Sequence, residues 1–298
     1  MKKLLLLPGL GDVHWVFLKL QDWLAKQGPD WSMPEVSIWN LDARPRTLDY
    51  LDLVPWVRKG SYVHIPLKGI PKAIFDGLYQ HENAKDSHGP FEGFDALIGT
   101  NGNMRNGVVF PNILEGASID YNYGPVLPEE TDPVVLEQEK RGPYFVLCFS
   151  GYGMFATKWI TRLKANKLRG LLARIKRAFP EHRLLFTGCD WDAEFTSHVV
   201  AEGDEVLVGE TSLLQLFQLL RASSGFLGWC GGNAILAQHL GVPTVTWWSR
   251  DYFPKHDRTG WETPHAVKKH LVLEVEDYHP DRTGDFIVRF LQESNSRA

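Results

Sequence analysis

The chain has 298 residues, 44% hydrophobic and 23% charged, the balance of an ordinary folded protein rather than a disordered or fibrous one, and at roughly 150 residues per domain it predicts about two domains. A net charge of −4 and a pI near 6.3 exclude a global attraction to nucleic acid or anionic lipid. Three cysteines scattered over a long chain exclude a disulfide framework and fit a reducing cytoplasm, and no run approaches the ~20 apolar residues of a membrane span.

The N-terminal MKKLLLL predicts a buried strand, because Pro8, Gly9 and Asp12 end its apolar run too soon for a signal peptide. In LLLLPGLGDVHWVFLKL the strand runs through a glycine-rich turn into a helix opened by Asp12, with Val13, Val16, Phe17, Leu20 and Leu24 as its buried stripe. Asp12 therefore has two readings: a carboxylate at a strand-to-helix elbow, where open α/β sheets bind ligands, or a helix N-cap. EVSIWNLD (35–42) is the next strand, 48–60 a short helix interrupted at Pro55, SYVHIP (61–66) a third strand, and FDALIGT (94–100) an apolar run that ends in the loop Asn101, Gly102, Asn103.

Residues 125–143, proline-bearing and charged, suit a linker, centred on 131–143. The pattern then restarts. PYFVLCF is a strand followed by the loop Ser150, Gly151, Tyr152, Gly153, and a basic helical region spans 158–179. RLLFT (183–187) and EVLVG (205–209) are strands, and Ser212 with Gln215 makes a capping box before the next helix. GFLGW (225–229) leads into Cys230, Gly231, Gly232, Asn233 and a helix over Ala234–Leu240, which Gly241 and Pro243 stop. VPTVTWW returns to a sheet, and Phe286, Ile287, Phe290 and Leu291 mark a terminal helix. The boundaries are an N-terminal domain over 1–130, the linker, a C-terminal domain over 144–280, and a helix and tail over 281–298 expected to pack back on the N-terminal domain.

Small residues at Gly231, Gly232 and Asn233 stand where a helix N-terminus can hold an anion such as a diphosphate; the plainer reading is a tight turn that needs φ > 0. Lys158, nearest the Ser150 loop in a basic run, could neutralise the same diphosphate, whereas the rest of the run reads as a solvated face or a weak case for a nucleic-acid acceptor. The eleven tryptophans read as core and rim packing, with sugar or base stacking as the other option. Neither glycine loop is a dinucleotide fingerprint or a Walker A sequence. No His-Glu-x-x-His or Cys-x-x-Cys pair points to a metal site, and no Gly-x-Ser-x-Gly elbow points to a serine hydrolase.

Taken together, PGLGDVHWVFLKL, FDALIGTNGNMRNG, PYFVLCFSGYGMFATKW and TSLLQLFQLLRASSGFLGWCGGNAILAQHLGVPTVTWW resemble the heptosyltransferase-type glycosyltransferases, family 9 of that class. The resemblance implies an α/β GT-B architecture, two Rossmann-like βαβ domains with parallel sheets facing across a central cleft. It implies a nucleotide-diphosphate sugar as co-substrate with no further cofactor and no metal, Asp12 as general base, and donor contacts from Ser150, Gly151, Lys158, Gly231, Gly232 and Asn233. It places Gly11, Asn101 and Asn103 on the acceptor side. The acceptor it implies is a saccharide or glycolipid, with a nucleic acid as another option, and the location is the cytoplasm or the inner face of a membrane. The family's donor loop often reads Asp-Ser-Gly with a His three residues beyond the Gly, whereas this chain has Cys230, Gly231, Gly232 and then Ile235. The donor's sugar and nucleotide are thereby left open. A nucleotide-sugar 2-epimerase and a non-catalytic GT-B binding module are the competing readings.

Overall fold

Four residues near the N-terminus, Lys3–Leu6, form strand β1, and Leu4, Leu5 and Leu6 are fully buried, as a central strand covered on both faces requires. The structure is a computed structural model that describes residues 2–6, 9–26, 32–40, 46–64, 93–94, 96–100, 107–110, 122–149, 165–229, 231–248, 270–274 and 278–296. The chain divides at Leu127/Pro128 into two units.

In the first unit β1 is followed by α1 (Leu10–Ala25), β2 (Glu35–Asn40), a 3-10 helix (Arg46–Leu53), β3 (Arg58–His64), β4 (Ala96–Thr100) and β5 (Gly107–Phe110). The sheet order is β3-β2-β1-β4-β5, parallel throughout except that β5 runs antiparallel to β4. The α1 stripe Val13, Val16, Phe17, Leu20 and Leu24 is buried, and the helix packs on β4, β5 and the 3-10 helix.

Three expectations change here. The helix begins at Leu10 with Gly9 as its cap, and the Val13 N–H donates the first helical bond to the Gly9 carbonyl at 2.8 Å. Asp12 therefore sits inside the first turn and is not the N-cap. The segment expected as a short helix over 48–60 is a 3-10 helix over Arg46–Leu53, with Thr47, Tyr50, Leu51 and Leu53 buried along it. Strand β3 then starts at Arg58 instead of 61. A shift of register between Val36 and Ile38 admits Gly60, whose Cβ, if it had one, would collide with Ser37 Oγ and the Val36 carbonyl. The short strand β5 was not anticipated.

The second unit holds α2 (Pro133–Lys140), β6 (Tyr144–Cys148), α3 (Ala165–Ala178), β7 (Arg183–Phe186), a 3-10 turn (Asp190–Asp192), α4 (Ala193–Val199), β8 (Glu205–Val206), α5 (Leu213–Ala222), β9 (Gly225–Trp229), α6 (Gly232–His239), β10 (Thr244–Trp248), β11 (His270–Glu274) and α7 (Pro280–Asn295). Its six strands are all parallel in the order β11-β10-β9-β6-β7-β8. Phe145, Leu147, Leu168, Leu172, Ile175, Phe186 and Trp247 belong to one core under its helices.

Two further segments bear on the expected boundaries. The stretch 131–143 is not a bare linker: Asp132 caps α2 by accepting from the Val134 N–H, Val135 is buried, and the buried Gln138 donates to Glu205 and accepts from Arg183, each at 2.7 Å. The terminal helix α7 packs within the second unit: Ile287 and Leu291 enter its core, and Arg174 of α3 pairs with Asp281 and Asp285. The capping box of α5 is present, with Ser212 Oγ accepting from the Gln215 N–H at 3.1 Å and the Ser212 N–H donating to Gln215 Oε1 at 2.8 Å.

Candidate functional site

Each sheet is wound outward in both directions from a central pair of strands, and that pair marks where a ligand can enter. In the second unit the chain lays down β6, β7, β8 to one side and β9, β10, β11 to the other. The neighbours β6 and β9, with Cys148 opposite Gly228, therefore form a topological switch point. In the first unit β1 and β4 play the same part, with Leu6 opposite Ile98. Adjacent crossovers leave a switch point on opposite faces of the sheet, so a crevice opens beyond the carboxyl ends of those strands.

The residues singled out from the sequence follow these four strand ends. After β1 come Gly11 and Asp12, in the first turn of α1, where the helix dipole favours a negative charge. Asn101 follows directly on Thr100, the last residue of β4; it and Asn103 lie outside the described residues. After β6 the chain reaches Ser150 and Gly151, which with Lys158 also lie outside the described residues, as do Cys230 and the segment 68–80. After β9, Gly231 caps α6 and Gly232 and Asn233 open it.

The α6 N-terminus is the best defined of these. Gly231 has φ −157° and ψ −172°, extended backbone that any residue adopts, so the expectation of a turn needing φ > 0 does not hold. Among the described residues crowding does not demand glycine either, since a Cβ at 231 would meet none of them closer than the Trp229 carbonyl at 4.0 Å. No side chain caps the helix, and its first N–H groups have no partners within the helix. The helix start carries a partial positive charge. Gly228 differs: a Cβ there would run into the Cys148 carbonyl and the Phe226 ring, so it is needed for β9 to pack on β6.

Behind the helix start, Ala234, Ile235 and Leu236 are buried at 1% exposure or less. Ile235 is thus a core residue that keeps α6 on the sheet. Trp247, wholly buried 5.4 Å from the Phe149 ring, and Trp229 at 6% exposure pack the core beneath the switch point. For these two tryptophans the packing reading stands and the stacking option does not. The turn after β7 reaches the same carboxyl edge, and there Asp192 is turned inward to accept the Cys189 N–H at 2.7 Å.

The basic helix α3 spends its charge within the unit. Arg174 pairs with Asp281 and Asp285, Lys176 with Asp204 at 2.7 Å, and Lys167 lies over the Tyr278 ring. The option of a nucleic-acid acceptor finds no support there. A feature that the sequence did not flag lies in the first unit. His14 of α1 and Tyr50 of the 3-10 helix are both fully buried, and His14 Nδ1 stands 2.6 Å from the Tyr50 hydroxyl. The signal was present in the sequence: a histidine next to the apolar stripe of a buried helix must find a polar partner.

Among the described residues no group of three His, Cys, Asp or Glu side chains could hold a metal ion, and no helix is long and apolar enough to cross a membrane. No protein-family model matches the sequence, and no curated protein matches it. The fold, by contrast, is shared with solved structures over nearly the whole chain. The E. coli ADP-heptose LPS heptosyltransferase II is 15% identical with a TM-score of 0.56, over 98% of this chain and 99% of that one. A family 9 glycosyl transferase from Veillonella parvula is 12% identical with a TM-score of 0.57, over 100% and 98%. A Listeria monocytogenes protein assigned as a UDP-N-acetylglucosamine 2-epimerase is 10% identical with a TM-score of 0.52, over 99% and 90%. The likeness is one of fold: two Rossmann-like units, as in GT-B glycosyltransferases.

Proposed function

We propose that this protein is a glycosyltransferase that moves a sugar from a nucleotide-diphosphate donor to an acceptor hydroxyl with inversion at the anomeric carbon. The observation that carries this reading is the α6 N-terminus at the switch point of the second sheet, opened by a glycine that neither φ nor packing requires. Leaving that position without a side chain lets a diphosphate approach the helix N–H groups. Ser150, Gly151 and Lys158, on the chain that leaves β6, complete the donor site in this reading, with Lys158 as a second positive charge for the leaving group.

Asp12 is the general base. The acceptor oxygen forms its bond to the anomeric carbon as the bond from that carbon to the β-phosphate oxygen breaks; the acceptor proton passes to the Asp12 carboxylate, and the nucleoside diphosphate departs with the negative charge. Helix N–H groups and Lys158 stabilise that charge, so the scheme requires no metal ion. Gly11, Asn101 and Asn103 line the acceptor side. The named donor of the E. coli relative, an ADP-heptose, and its LPS acceptor supply the class tested first: an ADP- or UDP-linked sugar and a saccharide or glycolipid. A glycolipid acceptor would place the protein at the inner face of a membrane.

The likeness to the epimerase-assigned protein favours a second reading, in which the same donor site serves inversion at C2. Calorimetry with ADP- and UDP-sugars, followed by turnover with candidate acceptors, separates the two. Transfer releases free nucleoside diphosphate only when acceptor is present, whereas an epimerase returns an altered nucleotide-sugar without acceptor. Asp12→Asn should lower transfer at least ~10²-fold with donor affinity unchanged; turnover near that of the wild type removes Asp12 from the mechanism.

A further inference from the structure

We propose that His14 and Tyr50 are positioning residues that set the rotation of α1 about its axis and thereby aim the turn that carries Asp12; this rests on the reading of Asp12 as base. Tyr50 meets two residues of α1 one turn apart. Its hydroxyl is 2.6 Å from His14 Nδ1, and its ring stacks on Phe17 with centroids 5.1 Å apart and planes 4° apart. Phe17 is braced in turn edge-on by Trp56 at 5.6 Å. Hydrophobic burial by itself carries no direction. A buried hydrogen bond is directional, so it fixes an orientation that burial alone does not.

Burial pushes the Tyr50 hydroxyl well above its ordinary value, so it stays protonated. A protonated phenol and a ring nitrogen form this bond with either group as donor, so it holds for either imidazole tautomer. The bond lies near the end of α1 that matters, since His14 is two residues beyond Asp12, or about 3 Å along the helix axis. Side-chain ends lie about 5–6 Å from a helix axis, so a turn of ~10° displaces a carboxylate by about 1 Å. A displacement of that size is enough to cost a large part of proton-transfer catalysis. The α1 cap offers no substitute restraint, because Gly9 contributes no side chain.

Tyr50→Phe tests this, since it keeps the ring on Phe17 and removes only the hydroxyl. The expected result is a fall in kcat of about tenfold with donor KM unchanged. In the Asp12→Asn background the same substitution should cost less than about twofold, because no base remains to aim. The pair His14→Leu/Tyr50→Phe should show the same kcat defect as Tyr50→Phe alone, because the bond between them is already lost in the single variant. Equal loss in both backgrounds would show a merely structural role and overturn the inference, as would full kcat in Tyr50→Phe. An inactive Asp12→Asn beside a fully active Tyr50→Phe sinks this inference alone. An active Asp12→Asn sinks the base assignment and this inference with it.

Discussion

At the scale of single residues, Gly231 is where the proposed donor site can be told from a structural turn. A glycine kept for φ > 0 or for crowding loses stability on substitution, but Gly231 is extended and uncrowded. Gly231→Asp should therefore hold or raise the melting temperature, because Asp is a better N-cap than Gly. The same carboxylate would occupy the helix N–H groups and repel a diphosphate. Donor affinity measured by calorimetry should fall at least ~10-fold, the scale of one charge-assisted hydrogen bond; unchanged affinity would remove α6 from the donor site. Asp12 was legible as a residue at a strand-to-helix elbow, but not its place in the turn. The N-cap reading failed because Gly9, with no side chain at all, starts the helix two residues before the sequence pattern turns polar. Ile235 was legible only as a departure from a motif, and burial makes it a core residue.

At the scale of elements, legibility followed how local the determinants are. The α5 capping box is a contact between residues three apart, so Ser212 and Gln215 were readable as such. Helix α2 was not, since it buries only Val135 and Gln138 among charged neighbours and is held by partners far along the chain. Buried Gln218 of α5 accepts from the Asp132 N–H at 2.9 Å and donates to the Glu130 carbonyl at 3.0 Å. Gln218→Leu leaves both backbone groups unpaired and should cost about 2–4 kcal/mol, against about 1 kcal/mol for Ser212→Ala. Urea denaturation of the two variants checks the order; a Gln218→Leu loss no larger than that of Ser212→Ala would show that α2 is held by other contacts.

At the scale of the whole molecule, each unit carries a tyrosine buried to 1% exposure or less, Tyr50 in the first and Tyr144 in the second. Burial raises both above the ordinary tyrosine value, and for Tyr144 the field of Glu139 adds to the effect while Arg183 opposes it. A group whose value is higher folded than unfolded contributes full stability below its unfolded value of about 10, and that contribution is lost as the pH rises further. Melting of both units should be flat toward about pH 9 and fall above about pH 10, with a slope of up to ~1.4 kcal/mol per pH unit for each tyrosine. Tyr50→Phe should lessen the slope of the first unit, where Tyr62, also raised by burial, keeps part of it. Thermal melts across about pH 8 to 11 test this; an unchanged alkaline slope in that variant would show that Tyr50 does not carry it.

What residues alone settle here is local: which segments are strands or helices, which stripe of α1 is buried, where α5 is capped and where Gly241 stops α6. These rest on periodicity and on contacts within a turn, and the alternation of strands with helices was enough to read two α/β domains. Strand order rests on hydrogen bonds between segments up to about a hundred residues apart, such as β1 with β4 and β6 with β9. Those pairings alone turn scattered loops into switch points, and so place Asp12 in one unit and Gly231 in the other beyond the carboxyl ends of central strands. The backbone angles of Gly231 and the bond from His14 to Tyr50 are likewise tertiary facts, because each depends on what the rest of the sheet or a distant helix presses against it.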